Sequence, residues 1–294
     1  MPQANSIYGK RVRPLDILAN TLIYLCASVS IVLLAGIVGY VAYRGASSVN
    51  WAFLTKAPSA IKGTFGIAGN IINTLYIILI TLLIAVPFGV GAAIYLNEYA
   101  KPGKLVNLIE FTTETLSGIP SIVFGLFGYV FFGLTLQLGY SILTGALTLS
   151  LMVLPLITRS TQEALKTVPV SYRSGALGIG ATKWYMIRTI LLPSAMPGII
   201  TGVILSVGRI VGESAALLFT AGSGYLLPKL GQYGEGLVQK ITQPGGTLTI
   251  QLYLSMEKAK YDNAFGIALV LLVIVFGINL LTKFLSRRYN VNKA

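Results

Sequence analysis

The chain is 294 residues long, 54% hydrophobic and only 11% charged, where ordinary soluble domains carry about 25% charged residues. Its net charge of +13 comes without a lysine/arginine stripe interleaved with aromatics, so a nucleic-acid surface is excluded. A single cysteine, Cys26, and no histidine rule out an intrachain disulfide and a thiolate metal cluster, and remove the commonest metal ligand and general base.

The composition predicts an all-α, polytopic membrane protein with six transmembrane helices. Residues 1–16 form a short polar tail with Lys10, Arg11 and Arg13. Residues 17–43 carry no charge and are too long for the roughly 7–15-residue apolar core of a signal peptide, so they read as a retained first span. Residues 44–70 are a loop rich in Gly, Ser and aromatics. The core is expected over 71–282. Its second span runs from about Ile71 to Leu96, with Pro87 inside and a kink expected there. A basic loop follows at 97–114. Residues 115–158 are uncharged for 44 positions, which suits two spans turning near Gln137–Tyr140.

Residues 159–194 interrupt the apolar pattern with Arg159, Lys166, Arg173, Lys183 and Arg188 against one acid, Glu163. Pro169 suits the first turn of a short helix. The fifth span is expected from about Ala195 to Ala221, a polar loop over 222–262, and the sixth span over Ala264–Thr282. A basic tail closes the chain at 283–294. With the N-terminus inside, 14 of the 22 Lys/Arg fall on the cytoplasmic side, as the positive-inside rule requires. Both termini are therefore expected in the cytoplasm, and the protein in the cytoplasmic (inner) membrane.

The fifth span contains Arg209 and Glu213. A charge near the bilayer centre costs at least about 2.5–3.5 kcal/mol and faces a cavity or a partner. Four residues apart, the two can pair on one helical face. One reading is an ion pair that only fixes packing. The other is an anion path in which Arg209 offers planar donors to an oxyanion, Glu213 holds Arg209 between events or accepts a proton, and Ser206 and Ser214 add hydroxyls. Small residues recur every four positions, at Ser194, Gly198, Gly202 and Ser206 and then Gly208, Gly212 and Ala216. This suits a dimer seam or a tight bundle. No phosphate loop, dinucleotide fingerprint or catalytic triad is present, and GALGIGATK at 175–183 lacks the phosphate-loop spacing. Catalysis by this chain alone is not expected.

Gly180, nine residues, then Ile190-Leu191-Leu192-Pro193 resembles the cytoplasmic-loop signature of ABC-importer permeases, EAA-x3-G-x9-I-x-L-P. Ser174, Gly175 and Ala176 stand at the EAA positions, a departure at the first two. More specifically, NTLYIILITLLIAVPFGVGAAIYLNEYA, ETLSGIPSIVFGLFG, LPLITRSTQEALKTVPVSYRSGALGIGATKW and LPSAMPGIITGVILSVGRIVGESAALLFTAG resemble the PstA-type permeases of phosphate importers. Those segments fill most of 70–221. Where the family reads G-E-T-A-P-L-L, this chain has Gly212-Glu213-Ser214-Ala215-Ala216-Leu217-Leu218, without the proline.

The resemblance implies a type I ABC importer permease fold. It implies that a coupling helix near Ser171, Tyr172, Arg173, Ser174, Gly175, Ala176, Leu177, Gly178, Gly180, Ala181 and Thr182 seats in a partner ATPase. It further implies a heterodimer with a PstC-like permease, two PstB-like ATPase subunits that bind ATP and Mg, and a PstS-like phosphate-binding protein outside that docks on the 44–70 and 222–262 loops. The expected mechanism is ATP-driven alternating access for inorganic phosphate. Import of another oxyanion, such as sulfate or molybdate, and an ion-coupled secondary transporter are the competing expectations.

Overall fold

The computed structural model describes residues 14–58, 65–225, 227, 236 and 239–288. Lys10, Arg11, Arg13 and the last six residues of the basic tail lie outside them. Helices α1 (Pro14–Ala46), α2 (Trp51–Thr55), α3 (Ala68–Ile94), α4 (Lys104–Ser117), α5 (Ser121–Gly128), α6 (Ile142–Lys166), α7 (Val170–Gly178), α8 (Lys183–Met186), α9 (Leu192–Gly212), α10 (Ala215–Thr220), α11 (Leu248–Glu257) and α12 (Tyr261–Arg288) follow in order. No strand occurs among the described residues. Five helical segments are long and apolar enough to cross a membrane, and a sixth arises if α4 and α5 count as one bent span.

The second span runs through Pro87 as one helix and ends in a π-helical turn, Tyr95–Tyr99. The 97–114 stretch is not a loop: most of it is α4, which packs against α6. The third span is correspondingly short. It comprises α5 and a π-helical turn, Tyr129–Thr135, and meets α4 at 103° across Gly118–Pro120. Pro120 lacks the N–H a continuous helix would need, and it pushes Ile119 out of helical geometry. The turn expected near Gln137–Tyr140 is there, with Gln137 and Gly139 at positive φ.

The fifth span also differs from expectation. It begins at Lys183, continues through a π-helical turn at Ile187–Leu191, and stops at Gly212 instead of Ala221. The interruption expected over 159–194 is therefore confined to about 167–182, because α6 carries its helix out to Lys166.

The core is built by α3, α6 and α9, with α5 and α10 packed beside them. Small residues set these distances. A Cβ on Gly89 would lie 2.8 Å from Ile157 Cγ2, and one on Gly202 would lie 2.5 Å from Ser160 Cβ, so α3 and α9 each approach α6 as closely as backbones allow. Helix α1 packs on α12 alone of the long helices and is otherwise exposed along its length. At the end opposite residues 167–182, the Asn70 and Asn73 side-chain amides donate to the carbonyls of Gly246 and Gly224 at 2.9 and 3.0 Å. These bonds fasten Gly246 and Gly224 to α3.

Candidate functional site

A cleft of about 520 Å³ opens between α4, α6 and α9. Helix α6 gives it Arg159, Gln162, Glu163 and Lys166, one face of two turns. Helix α4 adds Glu110, Thr113 and Glu114, and α9 adds Leu205 and Arg209. The cleft thus holds three cationic and three carboxylate side chains on helices that are otherwise apolar. Such groups in a spanning segment mark a path or a paired site.

The two arginines are held differently. Arg159 Nη1 donates to Glu114 Oε1 at 3.3 Å, and its Nε lies 3.6 Å from Glu163 Oε1. Those side chains are more than half exposed, so each pair contributes little to stability, typically about 0–1 kcal/mol. Arg209 stands in the last turn of α9, where the helix dipole favours a cation. Among the described residues no carboxylate lies within 4.0 Å of it.

The expected Arg209–Glu213 pair does not form. Helix α9 ends at Gly212, and Glu213 has extended backbone angles, so the helical four-residue spacing no longer brings the side chains together. Glu213 Oε1 instead accepts from the Ala216 N–H at 3.1 Å and caps α10. Its carbonyl accepts from the Thr249 hydroxyl at 2.8 Å, which braces the break against α11. Ser206 is fully buried and donates to the Gly202 carbonyl at 2.9 Å, so it is not a free donor in the cleft. Ser214 lies at the break between α9 and α10 and does not line the cleft. Of the four residues expected on a path, the cleft takes Arg209 alone. Arg159, Lys166, Glu110 and Glu114 were missed as its companions. The available signal was that Arg159, Gln162, Glu163 and Lys166 follow an i, i+3, i+4, i+7 pattern at the end of an apolar span.

At the 167–182 end, Pro169 precedes α7 as its N-cap. The helix ends in a Schellman motif: the Gly180 N–H donates to the Leu177 carbonyl at 3.0 Å and the Ala181 N–H to the Ala176 carbonyl at 3.1 Å. That motif needs a residue with positive φ, and Gly180 sits at +84°, a conformation that is costly for any side chain with a Cβ. The helix restarts at Thr182, whose hydroxyl accepts from the Tyr185 N–H at 3.3 Å.

Ser171, Tyr172, Ser174, Gly175, Leu177, Gly178, Gly180 and Thr182 are all exposed there. Tyr172, Leu177 and Ile179 add apolar area, with Ile179 86% exposed. Arg173, Ala176 and Ala181 do not belong to that outer face. Ala176 is buried and Ala181 half-buried. Arg173 turns inward, where its Nη2 lies 2.9 Å from Glu98 Oε1.

The chain matches the model of the binding-protein-dependent transport system inner membrane component over residues 85–291. It is 37% identical to the probable ABC transporter permease protein YqgI of Bacillus subtilis, covering 90% of this chain and 92% of that one. It is 36% identical to the phosphate transport system permease protein PstA 2 of Mycobacterium bovis, covering 83% and 80%. Among solved structures, a bacterial alginate ABC transporter crystallised with an alginate-bound periplasmic protein superposes with a TM-score of 0.67 at 16% identity, over 94% of this chain and 97% of that chain.

Proposed function

This chain belongs to the binding-protein-dependent inner membrane components, the permease subunits of ABC importers, and on that premise we propose that it carries inorganic phosphate into the cell. The observation that carries the reading is the cleft between α4, α6 and α9, in which Arg209, Arg159 and Lys166 face one opening. Two guanidiniums can each present paired donors to a tetrahedral oxyanion. The Glu114 and Glu163 carboxylates occupy Arg159 when no anion does, and keep that cation from standing unpaired. The relatives named PstA support phosphate as the anion.

In this reading the 167–182 end faces the cytoplasm, as do both termini, and the exposed face of α7 seats in a partner ATPase that binds ATP and Mg. A PstC-like second permease completes the path across the open side of the cleft, two PstB-like subunits drive it, and a PstS-like protein delivers phosphate to the opposite end. ATP-driven movement of α7 shifts α6 and α9, between which Arg159 and Arg209 lie, and the cleft alternates its access. Glu213 and Ser214 act on this path indirectly, as the hinge where α9 gives way to α10.

The test is labelled-phosphate uptake into vesicles that hold the chain with its permease partner, ATPase and binding protein. ATP-dependent uptake that persists in excess sulfate, and is lost in Arg209→Ala while the complex assembles, is the expected result. Uptake that sulfate competes away assigns the path to another oxyanion. Transport by this chain alone without ATP would overturn the importer mechanism.

A further inference from the structure

Helix α7 is poorly attached by apolar contact. Of its nine residues only Ala176 is buried, so a single methyl group represents its share of the core. What holds it is Arg173. The guanidinium donates through Nε and Nη2 to Glu98 Oε1 at 3.2 and 2.9 Å. It also donates through Nη2 to the Leu165 carbonyl and through Nη1 to the Val168 carbonyl, both at 2.9 Å.

The Glu98 side chain is 5% exposed. It takes a further bond from the Asn97 side-chain amide at 2.7 Å. Its own backbone carbonyl accepts from the Lys183 ammonium, which lies 4.9 Å over the Tyr99 ring. One residue in the π-helical turn that ends α3 therefore ties down α7, through Arg173, and the start of α8, through Lys183.

We propose that Glu98 is a positioning residue that makes α7 and α3 move as one body. The proposal rests on the reading of α7 as the ATPase contact. Its logic is in the division of Arg173's donors. One goes to the Leu165 carbonyl of α6 and one to the Val168 carbonyl just beyond its end, and these hold α7 to that end whatever stands at position 98. The bonds to Oε1 are what reach α3. Removing the carboxylate leaves α7 seated on the end of α6 but severs its direct side-chain link to the π-helical turn of the second span, so that only the packing of α6 on α3 is left to pass its displacement on.

The experiment uses the assembled complex in lipid, in a Cys26→Ser background, with spin labels at Ser174→Cys and Leu83→Cys (α7 to α3) or at Ser174→Cys and Leu151→Cys (α7 to α6). Distances are measured without nucleotide and with ATP and vanadate. Unaltered Glu98 is expected to give the same distance in both states for both pairs. With Glu98→Ala the α7–α3 distance broadens and changes with nucleotide, while the α7–α6 distance stays. The ATP hydrolysed per phosphate imported rises at least about fivefold, the lower end of ordinary coupling between sites.

An unchanged α7–α3 distance in Glu98→Ala overturns the proposal, and so does an equal change in both pairs, which would mean general loosening. Glu98→Gln, which keeps an acceptor oxygen, decides if the alanine variant does not assemble. If neither assembles, the residue is a folding element only and the proposal falls. Absence of phosphate import by the unaltered complex would overturn the substrate reading alone, because the distances do not depend on the substrate.

Discussion

Arg173 and Arg209 carry the same group on two regions of one chain, and their surroundings are opposite. Arg173 is mostly buried, and its fork is committed to a carboxylate and two backbone carbonyls. Arg209 lines an open cleft with no carboxylate within 4.0 Å among the described residues, and its neighbour Arg159 holds only loose, exposed pairs. A saturated donor set fixes geometry and leaves nothing to offer a ligand. An unsaturated one contributes little to the fold and keeps its donors available. The 167–182 end is thus a fastened structural joint, and under the proposed function the cleft is where the anion is bound.

Exchanging function for stability at the two arginines breaks this comparison most sharply. Arg209→Ala is expected to lower ATP-dependent phosphate uptake at least about thirtyfold, the equivalent of roughly 2 kcal/mol for a charge-assisted contact. Its thermal unfolding in detergent should stay close to that of the unaltered chain. Arg159→Gln should likewise reduce uptake while changing stability by no more than about 1 kcal/mol.

Arg173→Ala should do the reverse to stability. It strands the Glu98 carboxylate in a buried position and leaves two carbonyls without donors, and breaking a buried pair costs about 3–5 kcal/mol. The expected observation is a markedly lower melting temperature. If Arg173→Ala melts like the unaltered chain and Arg209→Ala does not, the contrast is inverted.

The small-residue stripe of α9 sharpens the comparison along a single helix. Gly198 and Gly202 meet Ala164 and Ser160 of α6, whereas a Cβ on Gly208 or Gly212 meets nothing within 4 Å. Gly202→Val should cost about 1–3 kcal/mol through overpacking. Gly212→Ala should leave the isolated chain's stability unaltered, so any loss of association with the second permease in a pull-down would place that face at the heterodimer seam.

These contrasts also separate what the residues announce from what they conceal. The long apolar runs and the turn at Gln137–Tyr140 are legible, because each follows from local chemistry: hydropathy and turn residues. Gly180 stands out in the sequence only through the family signature, and its role as a positive-φ helix stop is seen in the structure. The bend at Gly118–Pro120 is hidden in the sequence, because hydropathy divides an uncharged run of 44 residues by length alone and does not show that Pro120 breaks it. The Arg209–Glu213 pairing failed because it assumed an unbroken helix, and Gly212 ends it. The resemblance groups Arg173 with its neighbours in the ATPase contact. Its inward turn depends on Glu98, which is 75 residues away in sequence and has no local pattern pointing to it.

Glu213 provides the smallest effect, and it distinguishes two meanings of one carboxylate. As a charge partner of Arg209 it would need its negative charge, and Glu213→Gln would impair uptake as much as Glu213→Ala. As the cap of α10 it needs only an acceptor oxygen for the Ala216 N–H, now 3.1 Å away. Loss of such a cap costs about 1 kcal/mol. The observed geometry therefore predicts that Glu213→Ala lowers stability by about that amount and slows uptake modestly, by loosening the hinge between α9 and α10. Glu213→Gln should retain both stability and uptake, since its amide oxygen replaces the acceptor. Parallel melting and uptake measurements on the two variants check this. Equal loss of uptake in both would return the charge to the mechanism and require Glu213 to meet Arg209, or the anion itself, in another state of the cycle.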